Sequence, residues 1–299
     1  MSFIITTVLL AILLTVFSFA IGIIPIVFVE KVKSYKQRFI QLSIGILLST
    51  IFAIIIPEGL EILEDNEKKK IGIYIILGFA AVYIIEEYVH SLTMGSHGNN
   101  LNESLLSYHQ LGNFKLTFNL MLNNKVTFPL FIHGLSDGLT LGFITISDNK
   151  KISAVIILAT IIHKIPAIIS LVLILILKQN RNKIETLGNL WWFAVSTPIG
   201  YVVTSIILKL SGVKGDAITG KFLIASAGSL IFALIQTFQD DHHSSGNAGN
   251  VAGFDISEPY SLEFDEELEE TKNDLKEVKI GMFLLGCFIP WIISLFIHE

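Results

Sequence analysis

Residues 127–142 read TFPLFIHGLSDGLTLG and residues 159–171 read ATIIHKIPAIISL, and these two segments decide the predicted fold. Each lies in an apolar run long enough to cross a bilayer, yet ionisable side chains stand near the middle of both. An Asp or Lys at the centre of a membrane helix raises the free energy of insertion by about 2.5–3.5 kcal/mol. Such residues must face one another, a cation or a water-filled path. They therefore indicate a transport site within an all-α membrane protein.

The first segment places its polar residues on one helical face. His133 and Asp137 are four residues apart, so on a helix their side chains lie one turn from each other. Gly134, Gly138 and Gly142 follow the same spacing and predict a ridge that a neighbouring backbone can approach closely. Alternatively, His133 and Asp137 only pair to hold two helices together. Buried intramembrane acids more often mark a path, which favours the transport interpretation.

The second segment has a proline beside its histidine. His163, Ala167 and Ser170 share one helical face. Pro166 has no backbone N–H, so the carbonyl of Ile162 loses its helical partner next to His163. A kinked helix with a free carbonyl is typical of cation sites at mid-membrane depth.

Composition supports a polytopic integral membrane protein. Of 299 residues, 52% are hydrophobic and 16% are charged, whereas soluble domains carry about 25% charged residues. The single cysteine, Cys287, excludes an internal disulfide. One membrane domain over residues 1–299 is predicted, with eight helices of about 20 residues or more. Their predicted spans are 2–29, 39–60, 71–89, 128–147, 152–177, 190–210, 220–238 and 280–297.

Two longer connections are predicted between these spans. Residues 90–125 form a polar loop, and residues 239–279 form an acidic flexible loop in which 262–278 favour a weak amphipathic helix. Lys and Arg are more numerous in the loops after the odd-numbered helices. By the positive-inside tendency these loops are cytoplasmic and both termini are luminal or extracellular.

The motifs resemble the ZIP (Zrt/Irt-like) family of divalent metal transporters over essentially the whole chain. The resemblance rests on eight spans, a His-Gly-x-x-Asp-Gly helix and a His-x-x-Pro helix. Within the family, the chain resembles the Golgi-located subgroup that includes the yeast manganese-homeostasis protein. This similarity lies in two segments, Ile56-Pro57-Glu58-Gly59 and His163-Lys164-Ile-Pro166-Ala167.

The resemblance implies a bundle with helices 2, 4, 5 and 7 around a metal path. It implies transport of Zn²⁺ or Mn²⁺ from the Golgi lumen or exterior to the cytosol for metal homeostasis, with His133, Asp137 and His163 as metal ligands. No prosthetic group is expected. The expected partners are the lipid bilayer and the metal ion, without nucleic acid, and a homodimer is compatible with the family. The expected path or gating residues are Glu58, Gly134, Gly138, Lys164 and Pro166.

The chain departs from the family pattern where many members hold a second metal. Gly134, Lys164 and Ala167 stand at those positions, so a second cation there is not expected. We expect Lys164 to take its place and to bond Asp137, with Glu58 as the alternative partner. Two rival functions are an intramembrane metal-dependent hydrolase and a receptor or scaffold with a structural ion pair. The hydrolase needs a general acid or base near the metal, and only Lys164 or the distant Glu58 offers one.

Overall fold

The structure, a computed structural model, describes residues 3–32, 35–96, 111–145, 150–211, 216–244 and 262–297. All regular secondary structure in these ranges is helical, so the predicted all-α fold is confirmed. The α-helices in chain order are α1 Phe3–Val32, α2 Lys36–Ser49, α3 Ile56–Ile62, α4 Ile71–Ser96, α5 Phe114–Leu122, α6 Thr127–Thr145, α7 Lys150–Leu173, α8 Lys183–Ser211, α9 Asp216–Ser244 and α10 Leu262–Ile297.

Seven helical segments are long and apolar enough to cross a membrane. They are Ile5–Phe28, Lys36–Ile62, Lys68–Val89, Ile157–Lys178, Lys183–Leu210, Ile218–Phe238 and Val278–Leu295. The remaining predicted span is α6, which has 19 residues. Its length suits a bilayer, but His133, Ser136 and Asp137 reduce its hydropathy. The eight predicted spans thus correspond to these seven segments and α6.

The position of α6 explains how it tolerates polar residues. It packs mainly against α8 and α9, with further contacts to α7. The membrane segments differ in how far other helices bury them. Only 6% of the apolar stretch of Lys68–Val89 is buried, whereas 78% of that of Ile157–Lys178 is buried. The neighbours of α6 can therefore satisfy its polar groups, which lipid could not do.

The second span changes its helical form before it reaches Pro57. α2 is followed by a π-helical turn, Thr50–Ile55, and then by α3. In this turn the N–H of Ile56 donates to the carbonyl of Ile51, five residues back. Pro57 has no N–H to continue an ordinary α-helical ladder, and π-turns of this kind are frequent at functional sites. The altered winding sets the direction in which Glu58 leaves the helix.

The structure places helices inside both segments predicted as loops. α5 lies within the predicted polar loop 90–125, and Asn113 caps it by accepting a bond from the N–H of Leu116 at 3.3 Å. The reason is aromatic packing, since the rings of Phe114 and Phe118 lie 4.6 and 4.7 Å from that of Trp192. α10 begins at Leu262, where the sequence favours a helix over 262–278, and it continues without interruption into the last apolar run.

Candidate metal site

Two helices bring the three predicted ligands together. α6 carries His133 and Asp137 one turn apart, and α7 brings His163 against them. All three side chains are buried, with at most 1% of each residue exposed. Within the part of the chain that the structure describes, they form the one cluster of three or more His, Cys, Asp or Glu residues suited to a metal ion.

The two imidazoles converge on one carboxylate oxygen. Nε2 of His133 lies 3.3 Å from Oδ2 of Asp137, and Nε2 of His163 lies 3.2 Å from the same oxygen. All three ligand atoms lie within 4.8 Å of one another. Zn²⁺ bonds of about 2.0–2.1 Å in a tetrahedron separate neighbouring ligand atoms by about 3.3 Å. The two nitrogen–oxygen distances are therefore compatible with a small divalent cation between these atoms.

Hydrogen bonds on the outer nitrogens orient both rings. The hydroxyl of Ser226, on α9, donates to Oδ1 of Asp137 at 3.0 Å and lies 2.5 Å from Nδ1 of His133. Because the hydroxyl proton is already used, Nδ1 of His133 is the donor in the second contact. Nδ1 of His163 lies 3.2 Å from Oε2 of Glu58, which as a carboxylate accepts.

These outer bonds determine what faces the centre of the site. With both Nδ1 atoms protonated, the lone pairs of the two Nε2 atoms point towards Oδ2 of Asp137. Three acceptors then face one another, and a positive charge between them, a metal ion or a shared proton, makes the arrangement stable. A ligating histidine usually donates its other ring N–H to a carboxylate, a backbone carbonyl or water. Glu58 is such a partner for His163, and the hydroxyl of Ser226 takes the corresponding place behind His133.

Lys164 does not bond Asp137, and that expectation is wrong. Its ammonium donates to Oγ1 of Thr197 on α8 and lies 4.9 Å from the ring centroid of Phe193. Among the described residues, no carboxylate, including that of Glu58, forms an ion pair with it. Successive residues on a helix point about 100° apart, so Lys164 faces α8 while its neighbour His163 faces α6.

The glycines predicted beside the site serve helix packing. A Cβ atom added to Gly134 would overlap the side chain of Ser196, and one added to Gly138 would overlap the carbonyl of Thr197. The predicted ridge thus meets α8. Pro166 lies inside α7, one turn after His163, and one turn further on Ser170 donates to the carbonyl of Ser43 at 2.9 Å.

Sequence reasoning missed Ser226 as a contributor to the site. The segment around it is rich in alanine, glycine and serine and is typical of close helix packing. A serine in such a segment carries no distinguishing signal, because nothing local indicates which histidine it will meet. Glu58 was identified from its position beside Pro57, but not its contact with His163.

The bundle and its buried cluster define a polytopic membrane protein with a candidate cation site in its interior. Residues 108–294 match the family model described as ZIP zinc transporter. The chain belongs to this family, as its motifs predicted, and it is a divalent metal transporter rather than an enzyme.

Relatives of similar length support the same assignment. The chain is 23% identical to zinc transporter ZIP9 of Xenopus tropicalis over 96% of both chains. It is 24% identical to zinc transporter ZIP9 of Micropogonias undulatus over 97% of both chains. The similarity therefore extends over the whole bundle.

Proposed function

We propose that this protein transports Zn²⁺ across the membrane through a site formed by His133, Asp137 and His163. The observation that carries the proposal is the convergence of both Nε2 atoms on Oδ2 of Asp137, at 3.3 and 3.2 Å, in the interior of the bundle. The names of the family and of the relatives, which are those of zinc transporters, support the choice of metal.

The ligand chemistry suits a transported cation. Two imidazoles and one carboxylate bind Zn²⁺ well and also accept Mn²⁺, while the absence of a thiolate disfavours monovalent copper. Three protein ligands leave a coordination position for water. A site with an open position releases its metal more readily than a closed structural site of four protein ligands, and release is required of a carrier.

The resemblance to the Golgi-located subgroup supports a proposed direction and location of transport. The proposed transport is from the Golgi lumen, or the exterior, into the cytosol, and its role is metal homeostasis. Mn²⁺ is a second cargo of the same proposal, and a homodimer is its proposed assembly. The termini are proposed to be luminal or extracellular, in agreement with the excess of Lys and Arg in the loops after odd-numbered helices.

Uptake of radioactive Zn²⁺ by purified protein in liposomes tests the proposal. His133→Ala, Asp137→Asn and His163→Ala should each lower uptake by more than the roughly 10–100-fold typical of losing an outer partner of a metal ligand. Asp65→Asn is the matched control, because the Asp65 side chain is 94% exposed and lies outside the bundle. Mn²⁺ as competitor measures the second cargo.

Two results would contradict the proposal. One is wild-type uptake that does not exceed that of empty liposomes. The other is undiminished uptake in all three ligand variants, which would mean that the cation crosses elsewhere.

A further inference from the structure

Glu58 has one carboxylate oxygen that no group in the described protein satisfies. Its Oε2 contacts Nδ1 of His163 at 3.2 Å, but Oε1 is buried and has no hydrogen-bond partner among the described residues. The whole residue is only 5% exposed. An unsatisfied anionic oxygen is costly in a low-dielectric interior, so a positive or donating group is expected beside it.

The geometry around His163 separates Glu58 from the three ligands. Nε2 of the ring faces Asp137 and Nδ1 faces Glu58, so the imidazole stands between the two carboxylates. The carboxylate of Glu58 therefore lies on the far side of the ring from the cluster described above. It cannot complete the coordination of a cation held there without leaving its present position.

Glu58 also lies nearer to one end of the bundle. It stands four residues before the end of α3 at Ile62, whereas Asp137 stands eight residues before the end of α6 at Thr145. With one membrane span between them, these two helices run in the same direction. At 1.5 Å per residue, the backbones of Glu58 and Asp137 lie about 6 and 12 Å from the ends of their own helices.

We propose that the carboxylate of Glu58 and Nδ1 of His163 form a second, transient position for the transported divalent cation. This proposal rests on the proposed function and adds a step to it. The cation passes between the Glu58 position and the His133–Asp137–His163 position across the imidazole of His163. Glu58 is then a relay ligand on the side of the bundle where α3 and α6 end.

The imidazole allows only one of the two positions to be filled at a time. A neutral ring has one lone pair, so a cation at Nε2 needs the proton on Nδ1, and a cation at Nδ1 needs it on Nε2. In the first state the Nδ1–H donates to Glu58 across the 3.2 Å contact between these groups. Passage to the second state requires Nδ1 to give its proton to water and Nε2 to take one from water, so no net proton is consumed. In the second state Glu58 turns from hydrogen-bond acceptor to metal ligand, and Oε1 gains the positive partner that it now lacks.

The test compares Glu58→Gln with wild type in two measurements. The glutamine carbonyl still accepts from Nδ1–H, so Zn²⁺ affinity by equilibrium dialysis should stay within about threefold. The lost charge should slow Zn²⁺ uptake into liposomes by about tenfold or more, because the relay position no longer holds a dication. Glu61→Gln, an exposed carboxylate three residues further along α3, should leave both measurements at wild-type values.

A second variant examines the position directly. With His133→Ala and Asp137→Asn combined, one weaker Zn²⁺ site should remain, and adding Glu58→Gln should abolish it. Wild-type uptake by Glu58→Gln would overturn the relay, as would loss of Zn²⁺ binding in that variant alone or a double variant that binds no Zn²⁺. The function proposed above fails by a different result, which is the absence of uptake by the wild type.

Discussion

The hydroxyl of Ser226 on α9 joins the two proposed ligands of α6. It contacts both Nδ1 of His133 and Oδ1 of Asp137, and Ser226 itself is 0% exposed. Ser226→Ala should weaken Zn²⁺ binding about 10–100-fold, because both ligands lose the partner that orients them. Equilibrium dialysis measures this change. Ser229→Ala, which removes only a bond to the carbonyl of Ser226, is the matched control.

An unchanged Zn²⁺ affinity in Ser226→Ala would show that the α6 ligands need no support from α9. Reduced affinity in both serine variants would instead indicate a general loosening of α9.

The charge of Lys164 gives a second prediction at this scale. Lys164 is only 2% exposed and follows the proposed ligand His163 in the sequence. The protein interior screens charges weakly, so the positive charge of its ammonium group acts on a cation in the site. Lys164→Met should therefore bind Zn²⁺ about tenfold more tightly, equivalent to about 1.4 kcal/mol. Two positive unit charges 4 Å apart at a dielectric constant of 20 repel each other by about 4 kcal/mol. The expected gain in binding free energy is a modest fraction of that repulsion.

Lys178→Met serves as the control for Lys164→Met. Lys178 follows the same helix about 21 Å further along and donates to the carbonyl of Thr237. Titration of each variant with Zn²⁺ measures the affinities. Equal affinity in wild type and Lys164→Met would mean that the bond to Thr197 removes the influence of the ammonium on the site.

The candidate ligands could be predicted from sequence, whereas their partners could not. Charge in an apolar run and a four-residue spacing are local signals, and they identify His133 and Asp137 together with His163. The contacts of Ser226 and Glu58 join residues about ninety and one hundred residues apart in the chain. Such contacts depend on how whole helices dock, and a pattern within one helix does not encode that docking.

At the scale of elements, three helix pairs approach through glycines on both partners. In each pair, a glycine of one helix faces a backbone carbonyl of the other, and the second helix returns the same contact. The pairs are Gly138 with Gly200 between α6 and α8, Gly78 with Gly228 between α4 and α9, and Gly45 with Gly286 between α2 and α10. Without a hydrophobic driving force in lipid, such close backbone packing stabilises helix association.

Gly138→Ala tests this packing at the helix pair that carries the proposed site. The added methyl group would overlap the carbonyl of Thr197, so α6 and α8 must separate. We expect a loss of about 1–3 kcal/mol of stability and a lower unfolding temperature in detergent. In Gly281→Ala no atom lies within 4 Å of the added Cβ atom, so this variant should unfold like wild type.

The unfolding result separates the packing role from the gating role predicted for Gly138. If Gly138→Ala unfolds at the wild-type temperature yet transports more slowly, this glycine has the predicted gating role rather than a packing role. The ridge itself was predictable from the four-residue spacing. That α8 packs against this ridge was not predictable, because no glycine lies four residues before or after Gly200 in α8.

At the scale of the whole molecule, the least apolar spanning helix occupies the interior. Twelve other residues of α6 besides Asp137 are buried by neighbouring helices, while α1, α4 and α10 expose most of their large apolar side chains. In a soluble protein the apolar side chains are inside and the polar ones face water. Here apolar faces are left for lipid, and polar side chains are enclosed by other helices. The sequence predicts the spans by hydropathy, but α6 is identified better by its ionisable residues than by its mean hydropathy.

The orientation of this bundle gives the last prediction. Asn102, Glu103 and Ser104 form a sequon for N-glycosylation and lie outside the described residues. The predicted cytoplasmic side of the segment 90–125 keeps this sequon away from the glycosylation machinery of the lumen. Asn102 should therefore remain unmodified in a eukaryotic expression host, and glycosidase treatment should leave the electrophoretic mobility unchanged.

A positive control is needed because an unmodified asparagine is also found at inaccessible luminal sites. An N-terminal extension of about twenty flexible residues with its own Asn-Gly-Ser sequon reaches well beyond the membrane, at roughly 5–6 Å times the square root of its length. With luminal termini, this extension is glycosylated while Asn102 is not. Glycosylation of Asn102, lost in Asn102→Gln, together with an unmodified extension, would reverse the orientation. The cation would then cross the proposed relay and ligand positions in the opposite order, since Glu58 would lie on the cytoplasmic side.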